Sequence, residues 1–489
     1  MSVVEQWVVV LIIIFVYLAI TLAAGIMASL RREFSVEEYV AASRSLGPVV
    51  MYFLMGASIF SAFAFLGGPG WAFGRGAASF YILGYCALGL LPWYIFGPKA
   101  LRLGKSKGYV TQAQLASDRF KSPALSAIMA LVSVLAFIQY ITLQMKGIAY
   151  VFNVTTGGVI PFWAGALIAY GVVFVYVFLG GVRSVAWTNV LQGIMMVVLA
   201  WSLGLYLPYK LHGGPAAMFQ KIAETNPGHL IIGPEGAMSY AAFSSAILVS
   251  VLGFAMWPHL FMRAYNAESE ATLKKSVMLY PTFAIFMVPV LFIGFSAIGV
   301  VPEGAITAND QVLPWMVTNM GFSPLVVGLF AAGTMAAAMS SADAITHGAA
   351  SVYTIDFHKA VLQRNLSDKA TVWVTRIAVV IFCSAAYYLA IFGGQSLVAL
   401  LLGAYGSIVQ FFPIVVAAFY WPRATAPGAI AGLLGGVFVN YAIQLKLWTP
   451  PIDIHSGIWG LILNVVLLVV VSYLTKPMEE EHVRSFVEA

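Results

Sequence analysis

The amino-acid sequence predicts an all-α integral membrane protein with thirteen transmembrane helices, its N-terminus outside and its C-terminus in the cytoplasm. Three observations predict this fold class: a composition that suits lipid, thirteen long apolar stretches, and basic residues concentrated in alternate loops. Of the 489 residues, 61% are hydrophobic and only 9% are charged, whereas soluble proteins carry roughly 25% charged residues. This composition excludes soluble enzymes and nucleic-acid-binding proteins, and it makes the lipid bilayer a partner of the whole chain.

The apolar stretches are long enough to cross a bilayer, which takes about 20 residues in a helix. They are continuously apolar, so they predict helices rather than the short alternating strands of a membrane barrel. The thirteen stretches lie near residues 7–28, 49–74, 78–101, 123–151, 160–181, 187–209, 240–262, 277–301, 322–350, 370–392, 396–421, 426–445 and 456–475.

The basic residues set the orientation of these spans. Twenty of the 25 Lys and Arg residues fall in or beside every second connection, starting with the one after the first span. Positive residues stay on the cytoplasmic side of a membrane. The tail from residue 476 is therefore predicted to be a solvated cytoplasmic end, and the long opposite loops near 210–239 and 302–321 are predicted to be external, either as short surface helices or as ordinary connectors.

Two spans contain Gly and Pro residues that interrupt a helix. The second span contains Gly56 and the run 67–70, and the seventh contains Gly253 and Pro258. In a single helix such residues indicate only a packing kink. Here the two broken spans each open a set of five spans, which predicts an inverted repeat with binding sites at the broken helices. The predicted units are an extra helix (1–30), two repeats (49–209 and 240–421), two further helices (426–475) and a tail (476–489).

The ninth span contains a candidate ion site. Ala337, Ser340 and Ser341 follow i, i+3, i+4 spacing and so share one helix face. One carbonyl and two hydroxyls on a face form half of an oxygen-only site for a small hard cation such as sodium, and the broken second span supplies further carbonyls. The alternative is a face of small residues that permits close helix packing. Asp343, one turn nearer the cytoplasm, either assists sodium exit or bonds to neighbouring backbone.

Several motifs along the chain resemble those of the sodium:solute symporter family, which includes bacterial proline and sodium–galactose transporters. The run from Gly180 to Gln192, GGVRSVAWTNVLQ, resembles the family signature that enters the sixth span. Pro258-His259 followed by Arg263 is similar to the seventh-span motif. Residues 421–423 (WPR) and 427–429 (PGA) resemble the boundary between spans eleven and twelve.

The resemblance implies a LeuT-like core of ten helices, with one span before it and two after it. It also implies a transporter rather than an enzyme, a monomer in the plasma (inner) membrane of a prokaryote, and sodium as the coupling ion. The family's sodium ligands, carried over position by position, are the carbonyls of Ala57, Phe60 and Ala337 and the hydroxyls of Ser340 and Ser341.

The chain departs from the family pattern at two positions. Members with a second sodium site have an aspartate where this chain has Asn189, and a neutral amide is a weaker cation ligand than a carboxylate. We therefore expect one sodium per transport cycle. Proline transporters place an aspartate where this chain has Ile59, so proline-transporter chemistry does not carry over directly.

The residues of the two broken spans indicate a substrate with an apolar body and one or two polar ends. The candidate lining consists of Ser58, Ser61 and Phe63 from the second span and Phe254 and Trp257 from the seventh.

The fourth span adds Gln144 and Lys146 to this candidate lining. Lys146 either neutralises a substrate carboxylate or extends to the membrane interface. Residues 108–111 (GYVT) and 140–144 (YITLQ) resemble the monocarboxylate and pantothenate branch of the family. We therefore expect a small organic anion, with a zwitterionic amino acid such as proline as the alternative, and a channel or membrane enzyme as remote alternatives.

Overall fold

The computed structural model describes residues 3–29, 46–362, 365–394 and 397–489, and it describes only the backbone for residues 3–5, 28, 29, 169, 172, 173, 176–184 and 399. Throughout this described part the regular structure is helical, apart from an isolated parallel bridge between Leu46 and Ala267. Some basic positions that predict the orientation lie outside the described residues: Arg31, Arg32, Arg44, Arg364 and the side chain of Arg183.

The architecture is that of a multi-pass membrane protein, as the sequence predicts. Ten helices within the described ranges are at least 18 residues long and apolar enough to cross a bilayer, or eleven if the bent pair Tyr240–Phe254 and Pro258–Asn266 is counted as one span. The number thirteen and the direction of the termini stay predictions. The counts differ partly because the apolar helix Pro48–Ala57 has only 10 residues and two predicted spans share one helix, Phe162–His212.

The described residues contain 21 α-helices, of which nine lie before residue 226. They are α1 (Val3–Ser29), α2 (Pro48–Ala57), α3 (Gly68–Arg75), α4 (Tyr81–Leu88), α5 (Leu91–Lys107), α6 (Gln112–Arg119), α7 (Pro123–Thr155), α8 (Phe162–His212) and α9 (Pro215–Thr225). A π-helical turn, Phe63–Gly67, leads into α3, and a 3-10 turn, Gly76–Phe80, leads into α4.

Twelve helices form the remainder. They are α10 (Tyr240–Phe254), α11 (Pro258–Asn266), α12 (Glu270–Ala284), α13 (Met287–Ser296), α14 (Val312–Asn319), α15 (Pro324–Val352), α16 (Asp368–Phe392), α17 (Leu397–Ile408), α18 (Phe412–Tyr420), α19 (Ala426–Gln444), α20 (Ser456–Leu474) and α21 (Glu480–Val487). A π-helical segment, Tyr353–Leu362, continues α15.

Helix α8 covers residues for which the sequence predicts two spans. Straight, its 51 residues would extend about 77 Å, more than twice the hydrocarbon thickness of a bilayer. Yet Tyr170 bonds to Thr346 (2.7 Å) and Thr188 bonds to Asp343 (3.2 Å), and these two partners lie within one turn of α15. The chain therefore reverses direction between residues 170 and 188, so two segments of α8 run along the same neighbour. The sequence predicts a connection there, at Arg183, and the structure gives this connection a helical backbone.

Many helix starts follow local sequence signals. A Ser or Thr side chain at the N-cap accepts a hydrogen bond from a backbone N–H of the first turn, which satisfies a group that the helix itself leaves free. The residues that cap the long helices α7, α10, α15, α16 and α19 in this way are Ser122, Ser239, Ser323, Ser367 and Thr425.

Helix α15 is the centre of the bundle. Every residue from Phe330 to Val352 is buried, and all residues from Gly333 to Ser341 except Met335 and Met339 have small side chains. Small residues let neighbouring helices approach closely. The predicted packing role of this face and its predicted ion site therefore occupy the same surface.

The two long loops predicted to be external contain short helices rather than plain connectors. Helix α9 lies in the first, and α14 lies in the second. The second loop packs closely on the broken second span, because a Cβ at Gly70 would come within 2.8 Å of the Asn309 carbonyl oxygen.

The C-terminal tail is docked on the protein, so its predicted solvation is wrong. Helix α21 buries Val483 and Phe486, which are three residues apart on one face. The Lys121 ammonium lies 2.7 Å from the Glu479 carboxylate, and Lys99 Nζ donates to the Val487 carbonyl at 2.6 Å. The tail folds because its apolar positions share one helical face.

Candidate functional site

The second span is broken where the sequence predicts. Helix α2 ends at Ala57, and regular structure resumes only at the π-helical turn that begins at Phe63. The Ala62 backbone N–H donates to Gln144 Oε1 on α7 (3.0 Å), and the Phe63 N–H donates to Ser61 Oγ (3.1 Å). Side-chain acceptors therefore replace intrahelical ones, and carbonyls at the end of α2 are freed for other partners.

The predicted ion half-site on α15 lies directly against this break. Ser340 Oγ is 2.9 Å from the Ala57 carbonyl oxygen and 2.9 Å from that of Ala337. Ser341 Oγ donates to the Ser58 carbonyl at 3.0 Å. Both serines are fully buried.

Five neutral oxygens therefore lie in two hydrogen-bonded sets: the carbonyls of Ala57 and Ala337 around the Ser340 hydroxyl, and the Ser58 carbonyl at the hydroxyl of the next residue, Ser341. A small hard cation prefers oxygen ligands. The donor chemistry of these residues fits sodium.

The structure differs from the predicted ligand set at one carbonyl. It brings the Ser58 carbonyl, not that of Phe60, to the Ser341 hydroxyl. The Phe60 ring packs instead on Phe283 and Phe286, with ring centroids 5.6 and 4.7 Å apart. Phe60 stays a predicted ligand, and the Ser58 carbonyl is a further oxygen that the structure places at Ser341.

The seventh span is also broken where the sequence predicts. Helices α10 and α11 meet at an angle of 42°, and Pro258 begins α11 while Trp257 adopts an extended backbone, as the residue before a proline tends to do. The Trp257 ring lies 5.0 Å from that of Tyr140 and 5.7 Å from that of Tyr405, centroid to centroid. Trp257 is buried, and its indole N–H interacts with the Tyr405 hydroxyl.

Helix α7 connects the two breaks through one face. The Tyr140 hydroxyl donates to the Ile59 carbonyl at 3.3 Å and lies near the hydroxyls of Ser61 and Ser341. Gln144, one turn further along, accepts the Ala62 N–H described above. Tyr140 is the site residue that the predicted lining omits, and its i, i+4 spacing with Gln144 is the signal that identifies it.

Lys146 lies on the other face of α7. At 100° per residue it points about 160° away from Gln144, and it lines a cavity of about 200 Å³ together with Gln139 and Leu400. Asp310 of the second long loop interacts with its charge. The structure does not bring Lys146 to the breaks, so the predicted substrate contact receives no support from the geometry.

The other predicted lining residues take different positions relative to the two breaks. Ser61 lies in the first break and is 1% exposed. Ser58 turns its hydroxyl back to the Leu54 carbonyl, so only its own carbonyl faces α15. Phe63 is buried and packs beside Gly67. Phe254 packs between Tyr85 and Tyr280, both at 6.0 Å between ring centroids, so it supports the second break rather than lining it.

Asp343 is fully buried one turn beyond Ser340. Its Oδ2 accepts from Thr188 Oγ1 of α8 at 3.2 Å. The neighbouring Asn189 is also fully buried and donates through Nδ2 to the Val185 carbonyl at 2.7 Å. The Asp343 carboxylate therefore bonds to a side chain of a second helix. The sequence leaves two roles open for Asp343, namely assisting sodium exit and bonding to neighbouring backbone.

Comparison with known proteins identifies the family. The sodium:solute symporter family model matches residues 39–436. The chain is 31% identical to the uncharacterized symporter YhjB of Bacillus subtilis, covering 95% of this chain and 97% of that protein. It is 26% identical to the sodium/pantothenate symporter of Haemophilus influenzae (93% and 94% covered) and 25% identical to a sodium/proline symporter of Staphylococcus aureus (95% and 92% covered).

A solved structure has the same fold. A Na⁺-coupled sialic acid symporter in a substrate-bound outward-open state superposes with a TM-score of 0.79 at 18% identity, over 96% of this chain and 98% of that one. At this identity the likeness concerns the fold alone, which is LeuT-like. The matched family is one of transporters with sodium as the coupling ion. This chain therefore belongs to the sodium:solute symporter family.

Proposed function

We propose that the protein imports a small organic anion, such as a monocarboxylate, together with one sodium ion by alternating access. It acts as a monomer in the inner membrane of a prokaryote, with its N-terminus outside. The two predicted five-helix repeats move against each other around a site between the broken helices.

One observation supports the coupling site above the others: the hydroxyls of Ser340 and Ser341 lie against the carbonyls of Ala57 and Ser58. Sodium bound here would take the place of those hydrogen bonds and join α15 to the end of α2. Because the ligands come from two separate elements, binding would favour the arrangement in which the two elements meet. Asp343 then lies beyond the site, where a carboxylate would attract the departing ion.

A stoichiometry of one sodium is supported by the chemistry around Asn189. Its side chain is a neutral amide already bonded to the Val185 carbonyl of the same helix. A second sodium there would meet an amide oxygen at position 189 in place of a carboxylate, while the buried Asp343 carboxylate nearby is bonded to Thr188.

The substrate proposal is supported by a buried N–H donor. Gln144 Nε2 is buried and has no hydrogen-bond partner in the described part of the chain. Gln144 lies one turn from Tyr140 on the same helix face, beside the first break. A buried donor without an acceptor costs about 1–3 kcal/mol, so the site suits a substrate with acceptor oxygens, such as a carboxylate.

Charge balance points to the same substrate class. Sodium and a carboxylate carry opposite unit charges and are bound without a protein carboxylate among the proposed ligands. Together they form a neutral load, which lowers the cost of placing charge inside the membrane. A relative named for pantothenate, which is a carboxylate, agrees with this proposal, while the sodium/proline relative keeps a zwitterion as the second candidate.

Reconstituted transport tests the proposal. Purified protein in proteoliposomes with an imposed sodium gradient should accumulate a labelled small organic acid more strongly than proline. Candidate acids are first ranked by thermal shift with and without sodium, since a ligand that binds the folded state raises its melting temperature. Accumulation driven by a proton gradient and not by sodium would overturn the coupling, and preferential uptake of proline would select the zwitterion.

A further inference from the structure

Helix α6 lies at the end of the bundle that the basic loops predict to be cytoplasmic, and its first turn is held rigidly. Thr111 forms a capping box with Gln114: Thr111 Oγ1 accepts the Gln114 N–H at 3.2 Å, and Gln114 Oε1 accepts the Thr111 N–H at 3.2 Å. Such a box satisfies two free backbone donors at once. The start of α6 is therefore a defined structural element.

The same threonine anchors α6 to the extension of α15. Thr111 Oγ1 donates to Asp356 Oδ1 at 2.6 Å, and Asp356 is fully buried in the π-helical segment Tyr353–Leu362. An O–H···O hydrogen bond between two side chains is stronger than one to a thioether sulfur, which is a weak acceptor. Thr111 therefore ties α6 to the element that continues from the sodium serines.

The next residue reaches the second broken helix. Gln112 is 1% exposed, and its Nε2 lies 3.5 Å from Met256 Sδ. Met256 is fully buried in the break between α10 and α11, next to Trp257. Gln112 Oε1 has no hydrogen-bond partner in the described ranges.

An open cavity lies at the start of α6. It has a volume of about 800 Å³ and is lined by Tyr109, Val110, Gln114 and Asp356. Gln112, between Val110 and Gln114, is buried and contacts Met256, the neighbour of Trp257. Gln112 therefore connects a segment that lines the open cavity with the second broken helix.

We propose that Gln112 is the residue that closes the substrate site towards the cytoplasm, and that the Thr111–Asp356 hydrogen bond positions it. This inference rests on the proposed alternating access. Opening requires α11 to move away from α6, which breaks the contact between Gln112 and Met256. A thioether is a weak acceptor, so the contact can break in each cycle, while the stronger Thr111–Asp356 bond keeps α6 attached to α15.

Labelling of a reporter cysteine tests the gate. In a background with the buried Cys86 and Cys383 replaced by alanine, Ser61→Cys places a thiol in the first break. Inside-out vesicles in sodium are treated with a membrane-impermeant cationic maleimide. Gln112→Ala should accelerate labelling about 2- to 10-fold, the factor expected for losing one hydrogen bond. Thr111→Val should give a similar increase, and Asp356→Asn, which still accepts the bond, a smaller one.

Two controls separate gating from loosening of the whole protein. Gln139→Ala removes an amide from the face of α7 that carries Lys146, and it should leave the labelling rate unchanged. Right-side-out vesicles should show no acceleration for Gln112→Ala. If that variant does not fold, Met256→Leu removes the acceptor sulfur at nearly constant volume and should give the same one-sided increase.

The outcomes distinguish this inference from the proposed function. Unchanged labelling in the Gln112 and Met256 variants, or equal acceleration from both sides, would overturn the gate. If wild-type protein also fails to accumulate any acid or amino acid with sodium, the proposed function itself fails.

Discussion

Removal of the two α15 hydroxyls is the most direct perturbation of the coupling site. Ser340→Ala and Ser341→Ala delete the groups that lie 2.9 and 3.0 Å from the Ala57 and Ser58 carbonyls. Neither substitution changes a charge, and both serines are fully buried in the middle of a helix. The helix itself should therefore persist, because alanine has the highest helix propensity.

The expected magnitude follows from the chemistry of the ligands. A neutral group that bonds to a charged partner contributes about 1.5–3 kcal/mol, so each single variant should raise the half-saturating sodium concentration roughly 10- to 150-fold. The double variant should raise it at least about 100-fold, because neighbouring ligands are not additive. Substrate recognition at saturating sodium should change much less, since the hydroxyls face the ion.

The assay is initial uptake into proteoliposomes as a function of external sodium at fixed substrate. Ser351→Ala is the matched control, because Ser351 is equally buried on the same helix but lies eleven residues away from Ser340. It should leave the sodium dependence intact. Unchanged sodium activation in the double variant, with normal expression, would refute the assignment of this site.

Three further predictions concern single residues. Gln144→Ala should raise the substrate KM about tenfold and should change the half-saturating sodium concentration less, since it removes one donor. A larger change in the sodium dependence than in the substrate KM would place Gln144 outside the substrate site. Lys146→Met should change KM for anionic and zwitterionic substrates equally, because Lys146 faces away from the breaks; a selective loss of anion transport would restore its charge-neutralising role. Burial lowers the pKa of His455 to about 4, and its Nδ1 accepts the Gly457 N–H. Its stabilising contribution is therefore complete above pH 6.5 and is lost as pH falls towards 4, by at most about 1.4 kcal/mol per unit. His455→Asn, which still caps the helix, should make the melting temperature depend less on pH between pH 6.5 and 4.5.

Local signals in the sequence predict the parts of the site that depend on neighbours along the chain. The i, i+3, i+4 spacing of Ala337, Ser340 and Ser341 places them on one helix face, and Pro258 marks the second break. Both features follow from backbone geometry within a few residues. The structure confirms the positions of both breaks.

Contacts between segments that are far apart along the chain decide the remaining features of the site and of the fold. Tyr140 lies beside both breaks because Ile59 and Trp257 contact it, whereas Lys146 points to the opposite face of the same helix. The docked tail and the folded-back α8 likewise depend on partners that are more than a hundred residues away along the chain. Apolar composition cannot specify these partners, since many pairings bury similar area.

The sequence by itself determined that this chain is a membrane protein, that two of its helices are broken, and that one helix face presents neutral oxygens. Each of these properties follows from residue types at short spacing along the chain. Only the tertiary structure decided which carbonyls meet those oxygens, with Ser58 rather than Phe60 lying opposite Ser341, and which side of α7 faces the breaks. A carbonyl is present at every residue, so its identity as a ligand depends on position in space and not on residue type.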